Sequence, residues 1–192
     1  MRKIIFLFLL MGIVACKSRN ISTDSAEKFK VENLADVISQ NNMEQVYPEA
    51  NMTEGTDFFE EGTVERPYSI LYPNTPDEIL VIWADDARSK VHQIRFENNG
   101  RWKSATGIKI GTGYAELEKM NGPFKFYGFG WDYSGAVDWN GGKLADSNVR
   151  VFLAPTNTPN TKFYGDQIIE ASREEIEELN LTVKTILLQM EE

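Results

Sequence analysis

The sequence predicts an α+β fold: a mainly antiparallel sheet with a few short helices. Three observations carry this. Apolar runs of strand length outnumber helical repeats. Turn signals such as Pro73-Asn-Thr-Pro76, Asn98-Asn99-Gly100 and Asn140-Gly141-Gly142 follow those runs closely. No stretch shows the regular strand–helix alternation of a parallel sheet.

Taken in order, Arg2 and Lys3 precede an unbroken apolar run from Ile4 to Met11 and then Ile13-Val14-Ala15-Cys16. A charged start and a short apolar core make residues 1–15 a secretory signal peptide, too short for a spanning helix. Residues 16–30 are polar and are expected to form a flexible tether. The remainder, 31–192, is one α+β domain. In it, Asn33 is placed to cap a helix on which Leu34, Val37 and Ile38 repeat at helical spacing. Residues 48–65 are acidic, lack periodicity and are expected to be loop. Tyr68–Tyr72 reads as a strand, and Ile79–Trp83, apolar on both faces, as a central one. Val91–Phe96 alternates and runs into Asn98-Asn99-Gly100, a hairpin signal.

Residues 107–111 read as extended. Thr112 or Gly113 then caps a helix over 114–120, which Asn121-Gly122-Pro123 stops, because proline cannot continue it. Further strands are expected at 124–133, 149–153 and 182–188, with loop at 155–160. Ser172-Arg-Glu-Glu175 is a capping box that opens a short helix ending at Leu179.

Ile-Val-Ala-Cys, ending at Cys16, resembles the lipobox of bacterial lipoproteins. The resemblance covers residues 1–16 and implies that Cys16 becomes the first mature residue and carries acyl chains. Each buried methylene contributes roughly 0.8 kcal/mol, so several chains hold such a protein on the membrane. Lys17 stands where an Asp marks retention in the inner membrane of enteric bacteria, which implies an outer-membrane destination. The expected location is therefore the bacterial cell envelope, with the membrane itself as one partner.

Cys16 is the only cysteine, so its lipidation leaves no disulfide, thiol nucleophile or cysteine metal site. The net charge of -9 becomes -11 once Arg2 and Lys3 are removed with the signal peptide. Such a body is repelled by phosphate backbones, which argues against nucleic acid as a partner.

The segments 34–83 and 114–153 each run short helix, loop or turn, then apolar strand, the order two repeated helix-plus-sheet units would give. Ile110-Gly-Thr-Gly-Tyr-Ala-Glu-Leu-Glu is similar to the strand–Gly–helix start of tandem-repeat envelope lipoproteins. These include outer-membrane assembly lipoproteins and proteinaceous β-lactamase inhibitors.

Residues 124–139, FKFYGFGWDYSGAVDW, are the most unusual part of the body. One reading is a buried strand whose glycines make room for neighbouring rings. The other is a binding platform of exposed Trp131, Tyr133 and Trp139, flanked by Asp132, Asp138 and Asn140. Flat rings stack on sugars while carboxylates and amides bond hydroxyls, and the same rings anchor protein interfaces.

Asp132 and Asp138 also fit the paired carboxylates of a glycosidase, although aspartates near a Gly turn more commonly bond their own backbone. The Asp138–Asp146 loop lacks the Gly and Glu of an EF-hand, so no metal is expected. Gly111-Thr-Gly113 lacks the third glycine of a dinucleotide fingerprint and the Lys of a P-loop, and no cofactor is expected either. His92, the only histidine, alternates with Ile94 and Phe96, and no Gly-x-Ser-x-Gly elbow accompanies it.

The expectation is therefore a non-catalytic, lipid-anchored envelope module that binds another envelope protein. The alternative is a glycan-binding or carboxylate-dependent glycan-cleaving lipoprotein. A periplasmic enzyme inhibitor follows from the repeat resemblance alone.

Overall fold

A computed structural model describes residues 25–190. The signal peptide and Cys16 lie outside the described residues. Helices α1 (Ser25–Lys28), α2 (Val31–Ser39) and α3 (Met43–Val46) come first. They are followed by strands β1 (Thr53–Phe59), β2 (Val64–Leu71), β3 (Ile79–Trp83) and β4 (Val91–Phe96). Helix α4 (Tyr114–Asn121) leads to the short β5 (Lys125–Phe126) and β6 (Val137–Asp138). Strand β7 (Val149–Pro155), helix α5 (Arg173–Leu179) and β8 (Leu181–Gln189) complete the order. Six strands form one antiparallel sheet in the order β1-β2-β3-β4-β8-β7, and β5 pairs with β6 apart from it.

The α+β class is as the sequence predicts, but the two repeat-like segments differ in content. Segment 34–83 holds β1, β2 and β3 of the six-stranded sheet, whereas 114–153 holds the separate β5–β6 pair and most of β7, and β8, beyond both, is inserted between β4 and β7.

The core lies on one face of the sheet. Helix α2 turns Val31, Leu34, Val37 and Ile38 towards it, and they meet Val81, Ile94, Ile186 and Leu188. Strand β3 is central, as its two-sided apolarity predicts. Val81 and Trp83 enter the core, and the Trp83 indole donates to the buried Ser69 hydroxyl at 2.9 Å.

Residues 25–30, expected in the tether, are packed onto this body. Phe29 is buried, with the Arg101 guanidinium 3.8 Å from its ring centroid and Trp102 edge-on at 5.0 Å. Its carbonyl accepts from the Lys103 amide, and the Val31 amide donates to the Lys103 carbonyl, both at 3.0 Å. Rings this large gain more by burial than a tether gains in freedom.

Several local expectations are corrected. Lys30, not Asn33, occupies the N-cap of α2, and the Asn33 amide bonds the Glu27 carbonyl instead. Residues expected as loop contain β1, an edge strand too exposed to show a buried periodicity. Asn98-Asn99-Gly100 turns the chain but closes no hairpin, since β4 pairs with β3 and β8. Residues 107–109 join no strand and 110–111 form a turn, with Gly111 and Thr112 bonded to Val183. An extra residue in β4 opposite Trp83 takes His92 out of the row of Ile94 and Phe96. Its Nε2 lies 3.1 Å from Glu60.

Candidate functional site

Residues 124–139 are not one long strand. Only Lys125–Phe126 and Val137–Asp138 are extended, paired with each other as β5 and β6, and between them Gly130 (φ +83°) and Gly135 (φ +79°) bend the chain into a loop. This loop is laced to the segment 163–168. Phe129 N–H donates to Phe163 C=O, Gly165 N–H to Phe129 C=O, and Gly128 N–H to Gln167 C=O. A Cβ on Gly128 would stand 2.4 Å from the Gly165 carbonyl oxygen, so only glycine permits this approach.

The lacing sorts the rings. Phe124, Phe126 and Phe129 enter the core, while Tyr127, Trp131 and Tyr133 turn outward. Trp131 is 64% exposed and Tyr133 54%. Tyr133 stacks on Tyr127 with centroids 5.0 Å apart, and its backbone amide donates to Asp166. Tyr164, 44% exposed, lays its ring over Gly130 and joins the same surface.

Trp139 does not belong to this surface, which corrects the expected platform. It is buried edge-on against Phe124, and its indole N–H donates to the Val149 carbonyl. Asp138 accepts the Asn140 amide at 2.8 Å, a turn in which Asn140 takes φ +50°. Asp138 thus serves its own turn rather than pairing with Asp132. Of the six residues expected at the site, the structure brings together Trp131, Asp132 and Tyr133.

Asp132 and Ser134 instead border a groove of about 690 Å³ between this loop and the outer face of β4, β8 and β7. Phe129, Phe152 and Leu187 give it apolar walls, and Arg95, Lys184 and Glu97 place charges in it. Glu97 binds Arg95 and accepts the Thr185 hydroxyl at 3.1 Å. Partial burial pushes its pKa up, but Arg95, Thr185 and Lys184 outweigh this and hold it below the ordinary value. The groove thus offers both signs of charge beside apolar walls.

Sequence reasoning missed Tyr164 and the groove charges. Charged residues alternating with apolar ones on β4 and β8 show only that these strands have a solvated face. The pairing with the 129–134 loop makes that face concave.

The Ser134 hydroxyl accepts the Gly130 amide, and the sole histidine lies at Glu60. Among the described residues, no three His, Cys, Asp or Glu side chains are arranged to hold a metal ion. No described helix is long and apolar enough to cross a membrane.

No family model matches this chain, and no curated protein matches it. Among solved structures it is similar to the uncharacterized protein yfeY from Escherichia coli. The TM-score is 0.45 and the identity 16%, over 77% of this chain and 88% of that one.

Proposed function

We propose that this chain is a lipid-anchored protein of the bacterial envelope, directed to the outer membrane, that binds another envelope protein without catalysis. The observation that carries the binding role is the surface formed by Trp131, Tyr133 and Tyr164. Two exposed rings on the loop, with Tyr164 from the segment laced to it, form one surface beside a groove with charged and apolar walls. Trp and Tyr concentrate binding energy when a partner desolvates them, and a preformed loop lowers the cost of ordering them. The anchoring role rests on the lipobox-like residues before Cys16.

The test uses the full chain, expressed in a bacterial host and purified in detergent. Mass spectrometry of the mature N-terminus should find an acylated Cys16, and Cys16→Ala should release the protein from the membrane fraction. Envelope proteins crosslinked to wild type but not to a folded Trp131→Ala/Tyr133→Ala form would support the binding surface. Equal crosslinking of both forms would place binding elsewhere.

A glycan-binding reading retains Trp131, Asp132 and Tyr133, since a ring flanked by a carboxylate suits a sugar. It does not draw on Asp138, Trp139 or Asn140, and of the Asp132–Asp138 pair invoked for glycan cleavage only Asp132 lines the groove, while Asp138 holds its own turn. A soluble glycan that competes away the protein partner would favour this second reading.

A further inference from the structure

We propose that the free edge of β1 accepts an extended, basic peptide segment of a partner protein as an added antiparallel strand. This surface lies at the opposite end of the sheet from β7 and goes beyond the aromatic loop and groove.

Among the described residues strand β1 pairs with β2 alone, and no described strand lies on its other edge. The register shows which groups point that way. Thr56 stands opposite Pro67. Proline has no N–H, so these two residues cannot form the pair that exchanges two hydrogen bonds. Thr56 therefore directs its N–H and C=O away from β2, and by alternation Glu54 and Phe58 do the same. The Phe58 amide agrees with this assignment, since it bonds the Asp57 side chain at 2.8 Å. Glu54 and Thr56 remain open to a partner backbone, and Phe58 becomes so when Asp57 lets go.

Such an edge is a template for strand addition, in which main-chain bonds give affinity and side-chain pockets give selectivity. A pocket adjoins it. Met43, Tyr47, Pro48, Ala50 and Met52 form an apolar recess of about 410 Å³ where the chain enters β1. The exposed Phe58 ring marks the other end.

Charge selects the occupant. Residues 41–65 carry seven carboxylates and no Lys or Arg. Glu49 and Glu60 are answered by Lys28 and Arg66, and Arg88 approaches Glu54 only to 3.8 Å. No cation among the described residues pairs with Glu44, Asp57, Glu61 or Glu65. Like charges oppose a second copy of β1, because they would crowd across the new ladder. Alternating Lys or Arg would instead meet the carboxylates of one face, Glu54 on one side of the sheet or Asp57 on the other according to register, with an apolar residue for the recess.

The experiment titrates fluorescein-labelled alternating Lys-Val decapeptide into the full chain. It follows anisotropy and hydrogen exchange of the 53–59 amides. Binding with slowed exchange at Glu54 and Thr56 is expected. A Glu-Val peptide should not bind, and N-methylating the peptide on one edge should weaken binding at least about tenfold, the loss of a few backbone bonds. Thr56→Pro and a Glu54→Lys/Asp57→Lys form should weaken it similarly. If Thr56→Pro fails to fold, the charge variant and the methylated peptide decide alone.

Equal binding of the methylated peptide would mean charge attraction only and overturn the proposal, as would no binding or protection elsewhere. Dimerisation of the protein through β1 without peptide would replace the heterotypic occupant by a second copy. Trp131→Ala should leave this titration unchanged, which separates it from the aromatic-loop reading.

Discussion

The side chain of Asn121, buried at the end of α4, donates to the backbone carbonyl of Trp139 at 3.0 Å. Its oxygen accepts the Leu144 amide, also at 3.0 Å. One amide side chain thus holds both ends of the 139–144 turn and fixes Trp139 inward. Asn121→Leu leaves the Leu144 amide without a partner, while the Trp139 carbonyl keeps the Gly142 amide as donor, and should cost about 1–3 kcal/mol if water cannot reach the Leu144 amide. Urea unfolding measures it, and an unchanged midpoint would remove Asn121 from this role.

The two tryptophans of the aromatic segment should respond oppositely to truncation. Trp139→Ala empties a core position and should destabilise by about 3–5 kcal/mol. Trp131→Ala, on the exposed loop, should change stability by less than about 0.5 kcal/mol. Acrylamide should quench Trp131 far more readily than the other three, so its removal should leave a largely protected emission.

Glu49 predicts an acid-dependent term. Hydrogen bonding from Lys28 outweighs the opposing effect of desolvation and, with the Tyr72 hydroxyl, lowers its pKa from 4.5 to about 2. The ionised form stabilises the fold, so the contribution is whole above pH 4.5 and is lost as pH falls towards 2. Glu49→Gln should flatten the fall of melting temperature over that window. A wild-type slope in the mutant would contradict the assignment.

Ser172 accepts the Glu175 amide while the Glu175 carboxylate takes the Ser172 amide, the reciprocal cap that opens α5. Ser172→Ala should cost about 1 kcal/mol, and Ser172→Asp should recover most of it. Paired denaturation curves would show equal loss in both if the cap were idle.

What the sequence disclosed follows burial. β3, β4, β7 and β8 were legible because one or both of their faces enter the core, which leaves an apolar run or alternation. The capping box was legible because two side chains and a fixed spacing suffice to make it. β1 was hidden because Thr53–Phe59 buries neither face, so its residues answer to solvent rather than to a core. The aromatic loop misled for the converse reason. Its rings resemble a strand until Gly130 and Gly135 bend it, and whether Trp139 is core or platform depends on Asn121, eighteen residues earlier. Of the site, Trp131, Asp132 and Tyr133 were legible as neighbours in sequence. Tyr164, Arg95 and Lys184 were not, since only the fold brings them near.

Phe29 has a mechanical consequence. The ring is seated between Arg101 and Trp102, and two backbone bonds stitch the residues on either side of Lys30 to Lys103. Tension applied ahead of Ser25 would reach this seam before it reaches α2, and would load both bonds together. A protein tugged by a membrane through its front end would thus carry the strain at a reinforced hem, sparing the groove at the far side of the sheet. In single-molecule pulling from that end, Phe29→Ala should lower the first rupture force.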